Sequence, residues 1–241
     1  MGRVYLVGAG PGDPELLSLK AYRLIKEADV ILVDNLVLGV KELIPEGKKV
    51  IDIGKTEGKH NLSQDAINTL LVEQSEKYDT VVRLKGGDPY IFGRGGEEAV
   101  YLRERGIEFE VVPGITSAVA VPASFGIPLT HRGVSSSVTV ITGHEMEEKE
   151  EGLDWDAIAH LKGTLVILMG VGNLAEIADT LLGYGKPAET PVAVIEKGFT
   201  EAERLVRGTL ADIAEEARKA EVKPPAVIVI GDVVRLRETL Q

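Results

Sequence analysis

Arg83-Leu84-Lys85-Gly86-Gly87-Asp88-Pro89-Tyr90-Ile91-Phe92-Gly93-Arg94-Gly95-Gly96-Glu97-Glu98 follows the apolar run Thr80-Val81-Val82. Its glycines and proline forbid a regular element, so the chain is predicted to leave a buried strand, coil over that strand's carboxyl end and re-enter a helix near Glu97. The carboxyl edge is where α/β sheets bind ligands. Asp88, Lys85, Arg94 and many glycine backbone groups fall in this one loop, which makes it the first candidate site.

Upstream, Val4-Tyr5-Leu6-Val7 reads as a strand running into Gly8-Ala9-Gly10-Pro11-Gly12-Asp13-Pro14. Asp13 suits a helix N-cap and Pro14 a first helical position, so a helix is expected from Glu15 to Ala28. Val30 to Val33 and Val50 to Ile53 read as buried strands ending at Asp34 and Gly54. Ser63 should cap a helix whose apolar face is Ala66, Ile67, Leu70 and Leu71. A helix from Glu97 to Arg105 and a strand from Glu108 to Val112 complete the first half. This alternation predicts a parallel sheet covered on both faces.

Pro113-Gly114 interrupts the pattern and sets the expected domain boundary, giving domains 1–113 and 114–241. Beyond it, Ile115 to Phe125 is rich in small apolar residues, as in a tightly packed helix. Strands are expected at 137–142, 164–169, 192–196, 203–207 and 226–230, and helices at 155–160, 174–182 and 210–219. Two of these strands are separated by only a short connection, so the second sheet should be mixed. The fold class is therefore α/β, with two α/β domains. The acidic run 145–151 reads as a solvated loop.

The chain has 241 residues, no cysteine, four scattered histidines and a formal net charge of -11. Disulfides, thiolate nucleophiles and cysteine-based metal sites are excluded, and the histidines lack ligand spacing, so no metal is expected. No apolar run reaches membrane-spanning length, and the amino terminus lacks the pattern of a signal peptide. The expectation is a cytoplasmic protein with no membrane partner. The acidic balance argues against a nucleic-acid partner. The 8–13 segment approaches a dinucleotide fingerprint, but Asp13 occupies the position of the third glycine. That acidic cap would repel a pyrophosphate, so a nicotinamide or flavin dinucleotide is disfavoured.

Four segments in order, Val7-Gly8-Ala9-Gly10-Pro11-Gly12-Asp13-Pro14, Leu84-Lys85-Gly86-Gly87-Asp88-Pro89, Phe92-Gly93-Arg94-Gly95-Gly96-Glu97-Glu98 and Val112-Pro113-Gly114-Ile115-Thr116-Ser117-Ala118, resemble the tetrapyrrole methylases. Within that family the likeness is to the branch acting on uroporphyrinogen III. The resemblance implies a homodimer in which S-adenosyl-L-methionine lies folded in a cleft between two α/β domains and leaves as S-adenosyl-L-homocysteine. The implied cofactor contacts are Pro11, Gly86, Gly87, Asp88, Ile91, Thr116 and Ser117, with Met169, Gly198 and Ala226 in the second domain. The implied proton acceptor and donor are Asp34 and Lys55.

A tetrapyrrole with eight carboxylates needs local positive charge in so acidic a chain. Lys55, Lys59, His60, Arg83, Lys85, Arg94, His131 and Arg132 are the candidates expected to face one cleft. Arg94 and Arg132 lead because a guanidinium fork binds a carboxylate with two hydrogen bonds. The alternative for Arg94 is an ion pair with Glu97 or Glu98. Since the sequence begins at the first motif and ends just after the last strand, methylation alone is expected. A methylase for a later corrin precursor and a non-catalytic S-adenosylmethionine-binding regulator remain alternatives.

Overall fold

The computed structural model describes residues 1–34, 36–37, 39–54, 62–144 and 152–240. Lys55, Lys59, His60 and the acidic run 145–151 lie outside the described residues. The chain divides into two units, Met1–Thr116 and Ser117–Gln241.

In the first unit the chain runs β1 (Arg3–Gly8), α1 (Leu19–Glu27), β2 (Val30–Val33), β3 (Lys49–Asp52), α2 (Gln64–Ser75), β4 (Thr80–Lys85), α3 (Gly95–Glu104) and β5 (Phe109–Val112). The strands form one sheet in the order β3-β2-β4-β1-β5, and every pairing in it is parallel. Successive side chains of a strand point to opposite faces, so each inner strand supplies two cores. Val7, Ile31, Val33, Val82 and Leu84 pack with Leu24 and Ile25 of α1. Val4, Leu6, Val30, Leu32 and Val81 pack on the other face with Leu71 of α2 and Leu102 of α3. Each such fully buried aliphatic contributes roughly 1.5–3 kcal/mol, which is why β2 reads as an unbroken apolar run and β1 and β4 as apolar for most of their length.

Two expectations need correction here. Asp13 does not start the long helix: its carboxylate accepts from Glu15 N at 2.8 Å and caps only a 3-10 turn, Pro14–Leu16. Leu17 and Ser18 are extended, and Ser18 then caps α1 through a bond from Ala21 N to Oγ at 3.2 Å. The strand at Lys49–Asp52 is not buried either. It is the sheet's edge, with Val50 46% exposed, because only β2 pairs with it.

The second unit contains α4 (Ser117–Ser124), β6 (Val138–Thr142), α5 (Trp155–His160), β7 (Thr164–Leu168), α6 (Leu174–Gly183), β8 (Pro191–Glu196), β9 (Arg204–Thr209), α7 (Ile213–Lys219), β10 (Ala226–Ile230) and the terminal α8 (Arg237–Leu240). Its sheet order is β6-β7-β10-β8-β9. Only β6 and β7 are parallel; β10 runs antiparallel to both β7 and β8, and β8 to β9. The sheet is therefore mixed, through the hairpin β8–β9 and through the reversed central strand β10. One face packs Ile167, Val194 and Ile228 with helices α5, α6 and α7. The other packs Val166, Ile195 and Val229 against Ala118 and Val121 of α4, which explains the small residues of that helix.

Because Ser18 rather than Asp13 starts the α-helix, Ser18→Ala should lower stability by about 1 kcal/mol, the usual cost of losing a cap. Urea denaturation of the variant beside the parent checks this value.

Candidate functional site

Parallel strands deliver all their carboxyl ends to one edge of the sheet. At that edge of the first unit lie Asp34 after β2, Pro11 after β1, Gly86, Gly87, Asp88 and Ile91 after β4, and Thr116 after β5. The spread in sequence from 11 to 116 is thus brought together by topology. Ser117 opens α4 in the second unit. Pro11, Gly86, Gly87, Asp88 and Thr116 are half-buried, while Ile91 is exposed beside Tyr90 and Phe92.

Three loops meet here backbone to backbone. Gly10 and Gly87 exchange hydrogen bonds of 3.1 and 2.8 Å as an antiparallel bridge, and Ala9 N donates to Lys85 O at 2.7 Å. A Cβ on Gly114 would lie 2.2 Å from Gly87 O, and one on Gly8 would lie 2.5 Å from Gly114 N. No side chain fits between these strands. Asp88 ties the same loops together, Oδ1 accepting from Tyr90 N at 2.8 Å and Oδ2 from Gly114 N at 3.1 Å. The acid of the glycine-rich loop is therefore a brace between the ends of β4 and β5.

Beneath this edge lies a charged cluster whose arrangement the sequence does not reveal. Arg83 and Lys85, expected to line an open cleft, belong to β4 and are only 2% and 3% exposed. They are not surface cations. Both bind the fully buried Glu98 of α3: Arg83 Nε and Lys85 Nζ lie 3.2 and 2.9 Å from Oε1. Burial, together with the adjacent Arg83 charge, pushes the Lys85 ammonium below the usual lysine value, against the pull of Glu98 and Asp34. Arg83 Nη2 also reaches Asp34 Oδ2 at 3.2 Å, and the Asp34 side chain is 38% exposed. The signal in the sequence was present: two cations in a central strand require a buried partner. Glu98 shares its buried helix face with Ala99 and Leu102, which marks it as that partner.

Arg94 precedes α3 with a left-handed backbone, φ 56°. Its fork grips Glu97, Nε to Oε1 at 2.9 Å and Nη2 to Oε2 at 2.7 Å. That contact holds the Glu97 carboxyl below the usual carboxylate range. Both side chains are more than half exposed, so the pair contributes only about 0–1 kcal/mol. Arg132 lies on an exposed turn of the second unit, closed by two hydrogen bonds of 3.0 Å between His131 and Ser135.

Met169, Gly198 and Ala226 are gathered within the second unit. Met169 follows β7, Gly198 follows β8, and Ala226 opens the reversed strand β10, so all three reach one sheet edge. Met169, Lys197 and Phe199 hold positive φ of 56°, 50° and 62°, rare for residues with side chains. Strain of this kind collects at functional sites. Glu196 anchors the connection after β8: burial pushes its carboxyl up, but the Arg204 guanidinium and the Lys223 amide outweigh this and hold it low.

The glycine junction yields a sharp expectation. Gly114→Ala forces a methyl against the Gly87 carbonyl and should destabilise the protein by about 1–3 kcal/mol, as overpacking does. Gly96→Ala, where added bulk meets nothing within 4 Å, is the control expected to stay near the parent in urea denaturation.

Residues 3–214 match the family model described as Tetrapyrrole (Corrin/Porphyrin) Methylases. The chain is 55% identical to the S-adenosyl-L-methionine-dependent uroporphyrinogen III methyltransferase of Methanosarcina barkeri, covering 99% of this chain and 94% of that protein. It is 50% identical to the uroporphyrinogen-III C-methyltransferase of Methanocaldococcus jannaschii, covering 99% of each. Among solved structures, the uroporphyrin-III C-methyl transferase of Thermus thermophilus complexed with S-adenyl homocysteine aligns with a TM-score of 0.83 and 46% identity, over 98% of this chain and 100% of that one. Two sheets built in this order, a glycine junction at the edge of the first, and this likeness over nearly the whole length place the chain in the tetrapyrrole methylase family.

Proposed function

We propose that the chain is an S-adenosylmethionine-dependent uroporphyrinogen-III C-methyltransferase, methylating its substrate twice and giving precorrin-2 by way of precorrin-1. The observation that carries this reading is the convergence of Asp34, Pro11, Gly86, Gly87, Asp88, Ile91 and Thr116 on one sheet edge. The names of the relatives at 55% and 50% identity support the substrate.

The residues of that edge fit the cofactor. The half-buried backbone of Gly86 and the exposed Ile91 offer hydrogen bonds and apolar surface to an uncharged base and a thioether, while Gly87, bonded through its N–H and C=O to Gly10, shapes the turn. The Asp13 carboxylate at the neighbouring turn opposes a polyphosphate. In the second unit Met169, Gly198 and Ala226 are assigned to the same ligand, as is Ser117. When bound, S-adenosylmethionine supplies a methyl group made electrophilic by a sulfonium.

The chain's own contribution is placement and proton transfer. Holding an electron-rich ring carbon in line with the methyl lets the new carbon–carbon bond form as the carbon–sulfur bond breaks, the electron pair returning to sulfur. Asp34 then takes the proton that the ring releases. Lys55, outside the described residues, is assigned the donor role on the family resemblance alone. Arg94 and Arg132 bind substrate carboxylates, Arg94 by exchanging its contact with Glu97 for one with the ligand. A homodimer in the cytoplasm completes the reading, and light scattering tests the assembly.

Calorimetry should find one S-adenosylhomocysteine site per chain. Asp34→Asn should slow methyl transfer on the order of a hundredfold or more while leaving that affinity nearly unchanged. No binding by a folded sample would overturn the cofactor reading, and near-normal turnover would return Asp34 to a structural role.

The substrate contacts have their own test. Arg94→Ala and Arg132→Ala should each raise the Michaelis constant for the tetrapyrrole, reflecting roughly 1.5–3 kcal/mol per charge-assisted contact. S-adenosylhomocysteine affinity should stay put. Unchanged tetrapyrrole kinetics in both variants would remove the arginines from the substrate site.

A further inference from the structure

We infer that Arg83 is the positioning residue for Asp34, and that Glu98 holds Arg83 in the orientation that does this. The inference rests on the reading of Asp34 as proton acceptor. A guanidinium in the middle of a central strand is costly unless every side of it is satisfied. Arg83 meets that demand in three directions: Nε to Glu98 Oε1, Nη1 to Leu84 O and Nη2 to Asp34 Oδ2, each at 3.2 Å. One rigid plane thus spans the distance between a carboxylate with no exposure and one at the sheet edge.

The charges add to the argument. Arg83 and Lys85 are two buried cations sharing one buried carboxylate, Glu98, and Asp34 is the second carboxylate bound to Arg83. The Asp34 backbone is registered to the same strand, its N–H donating to Leu84 O at 3.2 Å. Both ends of the acceptor are therefore referenced to β4, the strand that also carries Gly86 and Gly87. A lysine ammonium is a point charge and cannot hold two carboxylates through a fixed fork. A purely structural cluster would work differently: such buried ions are often replaceable without loss, and nothing about turnover would depend on the fork.

The test is a cycle of four proteins: parent, Arg83→Lys, Asp34→Asn and the double variant. Methyl transfer is followed at saturating substrates, S-adenosylhomocysteine affinity by calorimetry and stability in urea. Arg83→Lys should lower kcat by tenfold or more, the order of loss from misplacing a catalytic group. The Michaelis constants and the S-adenosylhomocysteine affinity should hold. In the Asp34→Asn background the same change should alter kcat by less than about twofold, and the two substitutions should be non-additive in urea as well.

Parental kcat in Arg83→Lys, or an equal fold-loss in both backgrounds, overturns the positioning role while leaving Asp34 as acceptor. Parental turnover in Asp34→Asn instead overturns the acceptor, and the positioning role falls with it. Should Arg83→Lys not fold, Glu98→Gln keeps Arg83 but removes a buried negative charge from its anchor. It must then show the same pattern, a loss of kcat in the parent that vanishes in Asp34→Asn.

Discussion

The carbonyl oxygen of Gly87 occupies the space into which a Cβ on either Gly8 or Gly114 would project, at 2.7 and 2.2 Å. That exclusion governs the carboxyl edge of the first unit's sheet. The loops after β1, β4 and β5 meet through backbone alone, so peptide groups, and not side chains, form the surface there. Gly87 itself has φ 64°, in the left-handed region that glycine enters without steric cost. The Asp88 carboxylate then braces the junction by accepting from amides on two loops. Connecting loops are usually the mobile part of a domain; here the three are cross-tied to one another.

The buried charges of β4 and α3 are harder to justify on stability alone. Desolvating Arg83, Lys85 and Glu98 costs several kcal/mol per ion, and their mutual attraction does little more than offset this. Among the described residues Glu98 Oε2 has no hydrogen-bond partner, so within them the cluster is not fully satisfied. An apolar strand in this position would pack as well with less expense. What the cluster provides is a fixed electrostatic frame at the carboxyl end of the central strand, directly beneath the edge where Asp34 sits.

Backbone strain follows the same distribution. Phe92 and Arg94 in the first unit, and Met169, Lys197, Phe199 and Glu221 in the second, hold positive φ between 50° and 62°. Each such residue costs on the order of 1–3 kcal/mol, and all but Glu221 either are candidate residues or lie beside one. In the second unit the cost is offset locally: Phe199 N donates to Glu203 at 2.8 Å, Lys197 N to Pro225 O at 2.9 Å, and Thr200 Oγ1 to Lys197 O at 2.8 Å. These bonds hold the connection between β8 and β9 in shape around Gly198.

The sequence by itself determined the element order, the parallel character of the first sheet and the mixed character of the second, because apolar runs and short connections are local properties. It also identified the glycine-rich turns and the residues of the edge through their family likeness. It misplaced the start of α1, since Asp13 and Ser18 are both good caps and only the extended Leu17 between them separates the 3-10 turn that Asp13 caps from the α-helix that Ser18 caps. It read the strand at Lys49–Asp52 as buried because an edge strand and an inner strand can share the same apolar pattern. It took Arg83 and Lys85 for cleft cations because charge in a sequence carries no depth. Tertiary structure alone decided these matters: strand order sets which strand is the edge, and the packing of α3 on the sheet brings Glu98 under β4. A buried ion pair is a contact between residues far apart along the chain, and its existence depends on geometry that local pattern does not encode.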